Sequence, residues 1–380
     1  GTHRLVSPEA TFAANRRSMG VTGITRIANV TGLDRIGIPV AFAIRPNSRS
    51  LAVAQGKGSD LAAAKASALM EAIESHHAER IEAPLKLGSA AQLGRTHHLV
   101  DVDRLARAPH SRFHHDLPLL WIEGVDLLNE RSVWVPYECV HTDWTVPQPP
   151  GSGCFPADST GLASGNHLLE AIGHAISEAV ERDATARRHD GAPGAEFGVR
   201  IDLDTVDDPV CRSALDVYDQ AGVAVGAWDI TTGLGIPAFW CTVVDRADDG
   251  LAPLYAAAGS GCHPSRAIAL LRALTEAAQS RLTAIAGSRD DLFRDDYDRI
   301  AHPAMVRHQR RRLEADGSFC SFAAVSSFES ATFNDDIEWL LGRLRAAGIE
   351  QVVAVDLSLP AFPAAVVRIV IPGLRIDHEH

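Results

Sequence analysis

The hydrophobic and polar positions along the chain alternate between strand-like and helix-like patterns. Apolar, β-branched runs predict strands at 36–45, 50–55, 222–229, 237–244, 350–357 and 364–371, and a strand–turn–strand unit at 118–136. Helical periodicity predicts helices at about 60–80, 166–189, 264–286 and 334–347, the first with Ser59 or Asp60 as N-cap. Because strands and helices are interleaved without a linker, we predict one layered α+β (α/β) domain over residues 1–380.

Three segments of the sequence resemble one another, centred on 56–80, 161–189 and 259–286. Each has a glycine-containing turn followed by a helix that carries a stripe of polar residues. The stripes align on a glutamate, with a polar residue four positions earlier and a carboxylate or amide three positions later: Ser67/Glu71/Glu74, His174/Glu178/Glu181 and Arg272/Glu276/Gln279. The repetition predicts three equivalent helix–strand units.

The repeated stripe has the chemistry of a metal–nucleotide site. Positions i, i+4 and i+7 of a helix fall within about 60° of arc, so each stripe is narrow. A single such glutamate would ordinarily be solvated, but several carboxylates brought together repel one another unless a cation lies between them. Oxygen ligands suit Mg²⁺, which typically bridges substrate phosphates. None of the glycine turns is a Walker A sequence, so a nucleotide site here would be of another kind.

Composition and charge narrow the class of protein. Hydrophobic residues make up 46% of the chain and charged residues 22%, as in a globular protein with a large core. The net charge of −12 argues against nucleic-acid binding, and the basic run 307–312 is predicted to be a solvated helix face. The six cysteines show no metal-ligand spacing, which indicates reduced thiols in a cytoplasmic protein.

The sequence predicts neither a membrane span nor a secretory signal. There is no run of 18 apolar residues, and the first residues lack the pattern of a secretory signal. The chain begins with Gly1 rather than Met, which leads us to expect that something precedes it. No membrane association is expected.

Four segments of the sequence resemble the YcaO superfamily: 23–58, 67–79, 159–184 and the motif IPGL at 371–374. The resemblance covers nearly the whole chain and is greatest to the YcaO proteins that act with a TfuA partner. The family pattern is a Ser-x3-Glu-x2-Glu-Arg helix, a Ser-x6-Glu-x3-Gln segment and a second Glu-x2-Glu-Arg. Its positions correspond here to Ser67, Glu71, Glu74 and Ser75; to Ala163, Glu170 and His174; and to Glu178, Glu181 and Arg182.

This sequence departs from the family pattern at three of these positions. Ser75 replaces an arginine, Ala163 a serine and His174 a glutamine, whereas the metal-type carboxylates are all present. The resemblance implies that Glu71, Glu74, Glu178 and Glu181 hold Mg²⁺ ions that bridge the phosphates of ATP. It also implies a set of residues that position the nucleotide: Arg4, Thr11, Ser67, Ala163, Glu170, His174 and Arg182, with Arg281 and Arg289 as weaker candidates.

The resemblance further implies a reaction and a set of partners. A nucleophile adds to a backbone carbonyl of a peptide or protein, the oxyanion attacks the γ-phosphate of ATP, and phosphate departs, so no covalent protein nucleophile is expected. We expect a homodimer of the family's α+β fold and a thioamide product, with sulfide delivered by a TfuA-like protein or another sulfide donor. The C-terminal sequence lacks the PxPxP motif of azoline-forming members. Two alternatives stay open: an azoline-forming cyclodehydratase acting on Cys, Ser or Thr, and a non-catalytic, ATP-binding accessory protein.

Overall fold

The computed structural model describes residues 3–189, 198–246, 256–300, 302–315 and 319–376. The helices in these ranges are α1 Pro8–Asn15, α2 Met19–Thr22, α3 Leu61–Ala78, α4 Ala90–Leu93, α5 Leu168–His189, α6 Pro209–Gln220, α7 Arg266–Ala286, α8 Arg294–Ile300, α9 Pro303–Glu314 and α10 Phe333–Ala346. The strands are β1 Arg26–Asn29, β2 Val40–Ile44, β3 Val53–Lys57, β4 Leu85–Gly88, β5 Leu119–Asp126, β6 Arg131–Pro136, β7 Leu162–Gly165, β8 Val199–Asp202, β9 Val223–Asp229, β10 Ala238–Asp245, β11 Ala256–Cys262, β12 Phe319–Ser321, β13 Val353–Asp356 and β14 Ala365–Val370.

The chain divides into two compact units. The first unit comprises Gly1–Asn47, Leu51–Ala72 and Arg188–Glu329, and the second comprises Ser48–Ser50, Ile73–Arg187 and Ser330–His380. Since a compact unit need not fold or act alone, the assignment of residues 1–380 to one domain stays a prediction.

The first unit contains two sheets. One is the antiparallel sheet β1–β2–β3, and the other has the order β11–β10–β9–β8–β12, in which only the β8–β12 pair is parallel among the described strands. Side chains at alternate positions of β10, Phe239, Cys241 and Val243, are fully buried in a core with α6 and α7. The Tyr218 hydroxyl at the end of α6 donates to the Leu274 carbonyl of α7 (2.7 Å), which fixes the two helices together within this core.

The second unit is built on one sheet of order β4–β5–β13–β14–β7, with β6 paired to β5 as a hairpin. Its largest fully buried side chain is Trp121, whose indole N–H donates to the carbonyl of Gly88 (2.9 Å). Strand β7 pairs antiparallel with β14 and leads directly into α5, so the start of this helix is fixed at the sheet edge.

Each predicted repeat forms a strand, a tight turn and a long helix: β3–α3, β7–α5 and β11–α7. The strands approach their helices at positions where only a small residue fits. A Cβ on Gly56 would lie 2.2 Å from the Ala64 carbonyl oxygen, and one on Gly261 would lie 2.2 Å from the Ala269 carbonyl oxygen, eight residues further along in both cases. Ala163 occupies the aligned position of the second repeat and is 1% exposed. The glycines therefore set the strand–helix spacing of the first and third repeats.

Most of the sequence-predicted elements are present, with ends shifted by a few residues. Asp60 is the N-cap of α3, because its carboxylate accepts from the backbone N–H of Ala63 (2.8 Å). The prediction for the basic run was wrong in part. Arg307 and Arg311 are exposed, but Arg310 donates to the Asp245 carbonyl (2.9 Å) and Arg312 lies over the Trp228 ring.

Candidate metal and nucleotide site

Glu71 and Glu74 lie on the same face of α3, one turn apart. Glu71 Oε1 accepts the backbone N–H of Gln55 in β3 (3.3 Å), within the first unit. Burial raises the pKa of the Glu71 carboxyl, opposed by that hydrogen bond and by the positive charges of Lys57 and Arg289. The carboxylate is therefore desolvated, which is the state in which an added cation lowers its energy most.

Glu74 is anchored to the strand of the second repeat. Its Oε1 accepts both the backbone N–H (2.9 Å) and the hydroxyl (2.6 Å) of Ser164 in β7. These bonds lie within the second unit and leave the orientation of the carboxylate determined by the sheet. Nothing in the sequence alone pointed to Ser164 as a partner.

Glu178 and Glu181 lie one turn apart on α5, and Glu181 is 6% exposed. Burial raises the pKa of Glu178 to about 7; Arg182 opposes the shift and the negative charge of Glu181 adds to it. Arg182 Nη2 lies 3.8 Å from Glu178 Oε1, so the pair is an ion pair without a close hydrogen bond. The two carboxylates thus repel each other in a poorly solvated position.

The sequence analysis missed an ion pair near Glu178 between a buried arginine and a half-buried aspartate. Arg368 of β14, 3% exposed, donates to the Asp158 carbonyl (2.9 Å) and carboxylate (3.0 Å). The positive charge of Arg368 lowers the pKa of Glu178, and the negative charge of Asp158 raises it. The partners are 210 residues apart, so no local pattern could reveal them.

In the third repeat, an ion pair balances the charge of the glutamate. Glu276 forms an ion pair with Lys57 and accepts the backbone N–H of Ser260 (3.3 Å). The Ser260–Glu276 bond spans 16 residues, like the Gln55–Glu71 bond of the first repeat. Glu276 raises the pKa of Glu71 and Lys57 lowers it, so these three residues form one electrostatic group.

The predicted nucleotide residues of the second repeat lie along β7 and α5. Glu170, 4% exposed, accepts the backbone N–H of Asn166 (3.2 Å) and so stabilises the start of α5. His174 is half-buried one turn before Glu178. Ala163 pairs with Val367 of β14 and, having only a methyl side chain, offers a ligand its backbone alone. Their contacts with a nucleotide stay predictions.

The predicted nucleotide residues of the first unit are Arg4, Thr11 and Ser67. Arg4 is exposed and, with Arg272 and His3, helps to lower the pKa of His263, which burial lowers most. The Thr11 hydroxyl donates to the Ser7 carbonyl (3.1 Å) inside the first turn of α1. Ser67 is half-buried on α3, one turn before Glu71. These placements leave the nucleotide role untested.

Arg281 has a geometry that favours a structural role. Its side chain is 5% exposed, and its guanidinium donates to Asp34 (2.7 Å) and to both oxygens of Asp245 (2.9 and 3.1 Å). These carboxylates raise its pKa. Arg289, by contrast, is paired with Asp291 and close enough to Glu71 to affect its pKa, so it is the better phosphate candidate of the two.

The carboxylates are suited to Mg²⁺ by their chemistry. Within the described ranges, no group of three or more His, Cys, Asp or Glu side chains is arranged so as to hold a metal ion by itself. Mg²⁺ usually takes one or two carboxylates and completes its shell with waters and substrate phosphates. The pairs Glu71/Glu74 and Glu178/Glu181 consist of hard oxygen donors, and burial raises the pKa of Glu71 and Glu178, so they fit that requirement by their chemistry.

The fold is layered α+β with three strand–helix repeats, and the helices of two repeats carry paired carboxylates. The family model described as YcaO cyclodehydratase, ATP- and Mg²⁺-binding, matches residues 55–375. The chain belongs to the YcaO family. The predicted family and fold class are therefore confirmed, and ATP and Mg²⁺ are the cofactors of the family to which the chain belongs.

Two relatives are similar over most of their length. A Rhizobium leguminosarum bv. trifolii protein named for its position in the tfuA 3′ region is 41% identical over 380 residues, covering 98% of this chain and 89% of that protein. An uncharacterized Methanothermobacter thermautotrophicus protein is 35% identical, and the match covers 98% of this chain and 94% of that protein.

Two solved structures share the fold. A heterocyclase in complex with substrate and cofactor has a TM-score of 0.80 at 21% identity, covering 98% of this chain, which spans 53% of the heterocyclase. YcaO from Methanopyrus kandleri, bound with AMPPCP and Mg²⁺, has a TM-score of 0.73 at 22% identity. The match covers 98% of this chain and 92% of the Methanopyrus kandleri chain. At these identities the likeness concerns the fold.

Two further features bear on the class of protein. The described part of the chain contains no helix long and apolar enough to cross a membrane. All six cysteines lie in the described ranges as free thiols, and burial raises the pKa of Cys139, Cys211 and Cys241. These three thiols therefore stay protonated at neutral pH.

Proposed function

We propose that the protein is an ATP- and Mg²⁺-dependent enzyme that phosphorylates the oxygen of a peptide backbone amide and installs a thioamide at that position. The observation that carries the proposal is the pair Glu178/Glu181, desolvated and mutually repelling on α5, in a chain of the YcaO family. The substrate is a peptide or protein, and the sulfide comes from a TfuA-like partner.

The proposal assigns Glu71, Glu74, Glu178 and Glu181 to Mg²⁺. Bound Mg²⁺ would supply positive charge against the phosphates. Residues proposed to position ATP are Arg4, Thr11, Ser67, Glu170, His174, Arg182 and the backbone at Ala163. Arg281 is left out because its donors are occupied by Asp34 and Asp245. Homodimer formation is part of the proposal, on the family resemblance alone.

The reaction needs positioning and charge neutralisation rather than a protein nucleophile. Hydrosulfide adds to the backbone carbonyl carbon, and the resulting oxyanion attacks the γ-phosphorus of ATP, releasing ADP. The C–O bond then breaks, the oxygen leaves as inorganic phosphate, and loss of the S–H proton to solvent leaves a C=S bond at that carbon. Cations held near the transferring phosphoryl group stabilise such a transition state. Arg182 would supply one such charge beside Glu178.

A thioamide product is supported by the Rhizobium relative, since its gene lies in the tfuA 3′ region and it is 41% identical to this chain. The second candidate is azoline formation, in which a Cys, Ser or Thr side chain of the substrate attacks the same carbonyl and the oxygen also leaves as phosphate. The family description as cyclodehydratases favours it.

The test is mass spectrometry of a candidate substrate peptide incubated with this protein, a TfuA-type partner, Mg-ATP and sulfide. We expect a mass gain equal to the exchange of one oxygen for one sulfur per site, dependent on ATP. The gain should disappear in Glu178→Gln and Glu71→Gln proteins and persist in Glu314→Gln, an exposed control on α9.

Other outcomes decide between the alternatives. Loss of one water per site without sulfide would identify the protein as a cyclodehydratase. ATP binding without consumption or mass change across a panel of peptides would contradict both enzyme assignments and favour an accessory protein.

A further inference from the structure

A narrow pocket lies in the second unit, between the start of β5, the end of β6 and a proline-rich loop. Most of its wall is apolar and is formed by Leu119, Pro136, Pro149, Pro150 and Phe155. The pocket contains about 240 Å³ of space, its open mouth included. Pockets for whole small molecules usually measure about 300–1,000 Å³, so this one has room for a single side chain.

One polar group in the pocket wall lacks a partner. His141 lines the pocket and is 2% exposed, and its Nε2 has no hydrogen-bond partner among the described residues. Its Nδ1 accepts the backbone N–H of Asp143 (3.2 Å), and its ring is stacked on that of Tyr137 with the centroids 4.5 Å apart. Burial lowers the pKa of His141, so the ring is neutral at neutral pH and carries its proton on Nε2. A buried donor without an acceptor is unfavourable, and a ligand with an acceptor would remove that cost.

The charge at the pocket wall favours a neutral ligand. Glu138 lines the pocket, and its carboxylate accepts the backbone N–H groups of Gly153, Cys154 (3.0 Å) and Phe155 (3.0 Å). These bonds fix the end of the proline-rich loop and keep a negative charge beside the pocket. A second carboxylate inside the pocket would be repelled by Glu138 and would lose its hydration. A neutral acceptor, such as the oxygen of an amide, meets neither cost.

The pocket lies close to the carboxylates of the second unit. The backbone N–H of the residue after His141 donates to the carbonyl of Ala78 (3.0 Å), at the end of α3. Ala78 is one helical turn beyond Glu74, about 6 Å along the helix axis. The charge of Arg368 adds to the lowered pKa of His141 and opposes the raised pKa of Glu178, so Arg368 lies near both groups.

We propose that this pocket binds an asparagine or glutamine side chain of the peptide substrate, with the amide oxygen accepting the Nε2–H of His141. The apolar wall contacts the methylene groups of that side chain. An extended peptide advances about 3.3 Å per residue, so the side chain would lie a few residues from an amide held at Glu74 and Glu178. The inference rests on the proposed function only in identifying the bound peptide as the substrate.

The test is a ligand-observed NMR titration of three capped tripeptides with the full chain, in the absence of ATP and Mg²⁺. The tripeptides have glutamine, glutamate or leucine between two glycines. We expect the glutamine peptide to bind in a saturable manner. The leucine peptide lacks an acceptor and the glutamate peptide brings a charge, so each should bind about tenfold more weakly.

Ser152→Phe should abolish binding of the glutamine peptide, because Ser152 is half-buried in the pocket wall and an aromatic ring there would fill the space. The matched control is Val146→Phe in the same loop. Val146 is 86% exposed and does not line the pocket, so the Kd should stay within about twofold. His141→Phe should remove the preference for glutamine over leucine; should its melting temperature show that it does not fold, Ser152→Phe decides.

Three results would each overturn the inference: equal binding of the glutamine and leucine peptides, unchanged binding in Ser152→Phe, or equal weakening by Val146→Phe. In the ATP-dependent assay, an excess of the glutamine peptide should slow modification of the candidate substrate, and the leucine peptide should not. Selective binding without this inhibition would refute a role of the pocket in substrate binding. Selective binding with no modification of any peptide would contradict the proposed reaction and leave the pocket as a peptide-binding site.

Discussion

At the scale of single residues, the same charge type serves opposite purposes in this chain. Arg182 lies 3.8 Å from Glu178 at a half-exposed position, where it can interact with a ligand. Arg281 is buried between Asp34 and Asp245, where its donors are occupied. In the sequence, both arginines stand at the end of a polar stripe on a helix. Only the packing around each one shows that their settings differ.

Arg281→Gln should therefore destabilise the fold and leave nucleotide binding unchanged. Removing the arginine leaves two buried carboxylates short of a partner, and loss of one member of a buried ion pair costs about 3–5 kcal/mol. Urea unfolding should show this loss, whereas the Kd for Mg-ATP should stay the same. The control is Arg246→Gln, which breaks an exposed ion pair with Asp219 and should cost about 1 kcal/mol or less. A large rise in Kd with little loss of stability would restore Arg281 to the nucleotide site.

Glu178 gives the metal-free protein a specific pH dependence. Its pKa is about 7 in the folded protein, above the ordinary 4.5, so the folded chain binds the proton more tightly than the unfolded chain. That contribution is fully present below the ordinary pKa and is lost as the pH rises through about 7. With metal chelated, wild type should match Glu178→Gln near pH 4 and be less stable by about 1–3 kcal/mol near pH 8. If the free energies of unfolding of the two proteins ran parallel as the pH changed, burial would not raise the pKa of Glu178.

At the scale of the elements, the repeated strand–helix unit depends on close backbone approach. Gly261 and Gly56 each face the backbone of the following helix at positions where a Cβ would lie about 2 Å from a carbonyl oxygen. The sequence revealed the repeat through its glycines and glutamates. It did not reveal why the second repeat can carry Ala163 at the aligned position.

Gly261→Ala should destabilise the first unit by about 3 kcal/mol or more, because the clash is with backbone atoms that cannot rotate away. The control is Gly342→Ala in α10, where an added Cβ meets nothing within 4 Å. That change should be neutral or stabilise by about 0.5–1 kcal/mol, since alanine is the better helix former. Chemical denaturation measures both, and equal effects would show that the strand–helix spacing is adjustable.

At the scale of the whole molecule, the features that could be predicted from the sequence are those formed by residues close together along the chain. The four predicted helices, the hairpin 118–136 and the carboxylate stripes are local patterns, and each is present in the structure. The pairs Lys57–Glu276 and Arg368–Asp158 join residues 219 and 210 positions apart, so periodicity carries no signal for them. The basic run was misassigned for the same reason: Trp228, which Arg312 covers, lies on another element. The roles of the predicted nucleotide residues stay predictions, because they depend on a ligand.

The three repeats share one structure, but their polar stripes differ in charge because the third stripe is balanced by a lysine. The first two stripes carry two carboxylates each, Glu71/Glu74 and Glu178/Glu181. The third carries Gln279 in place of the second carboxylate, and Lys57 balances Glu276. Under the proposed function, the carboxylates assigned to Mg²⁺ are thus confined to the first two repeats, and the third contributes structure without adding net negative charge. Duplication of one structural unit therefore need not duplicate its chemistry.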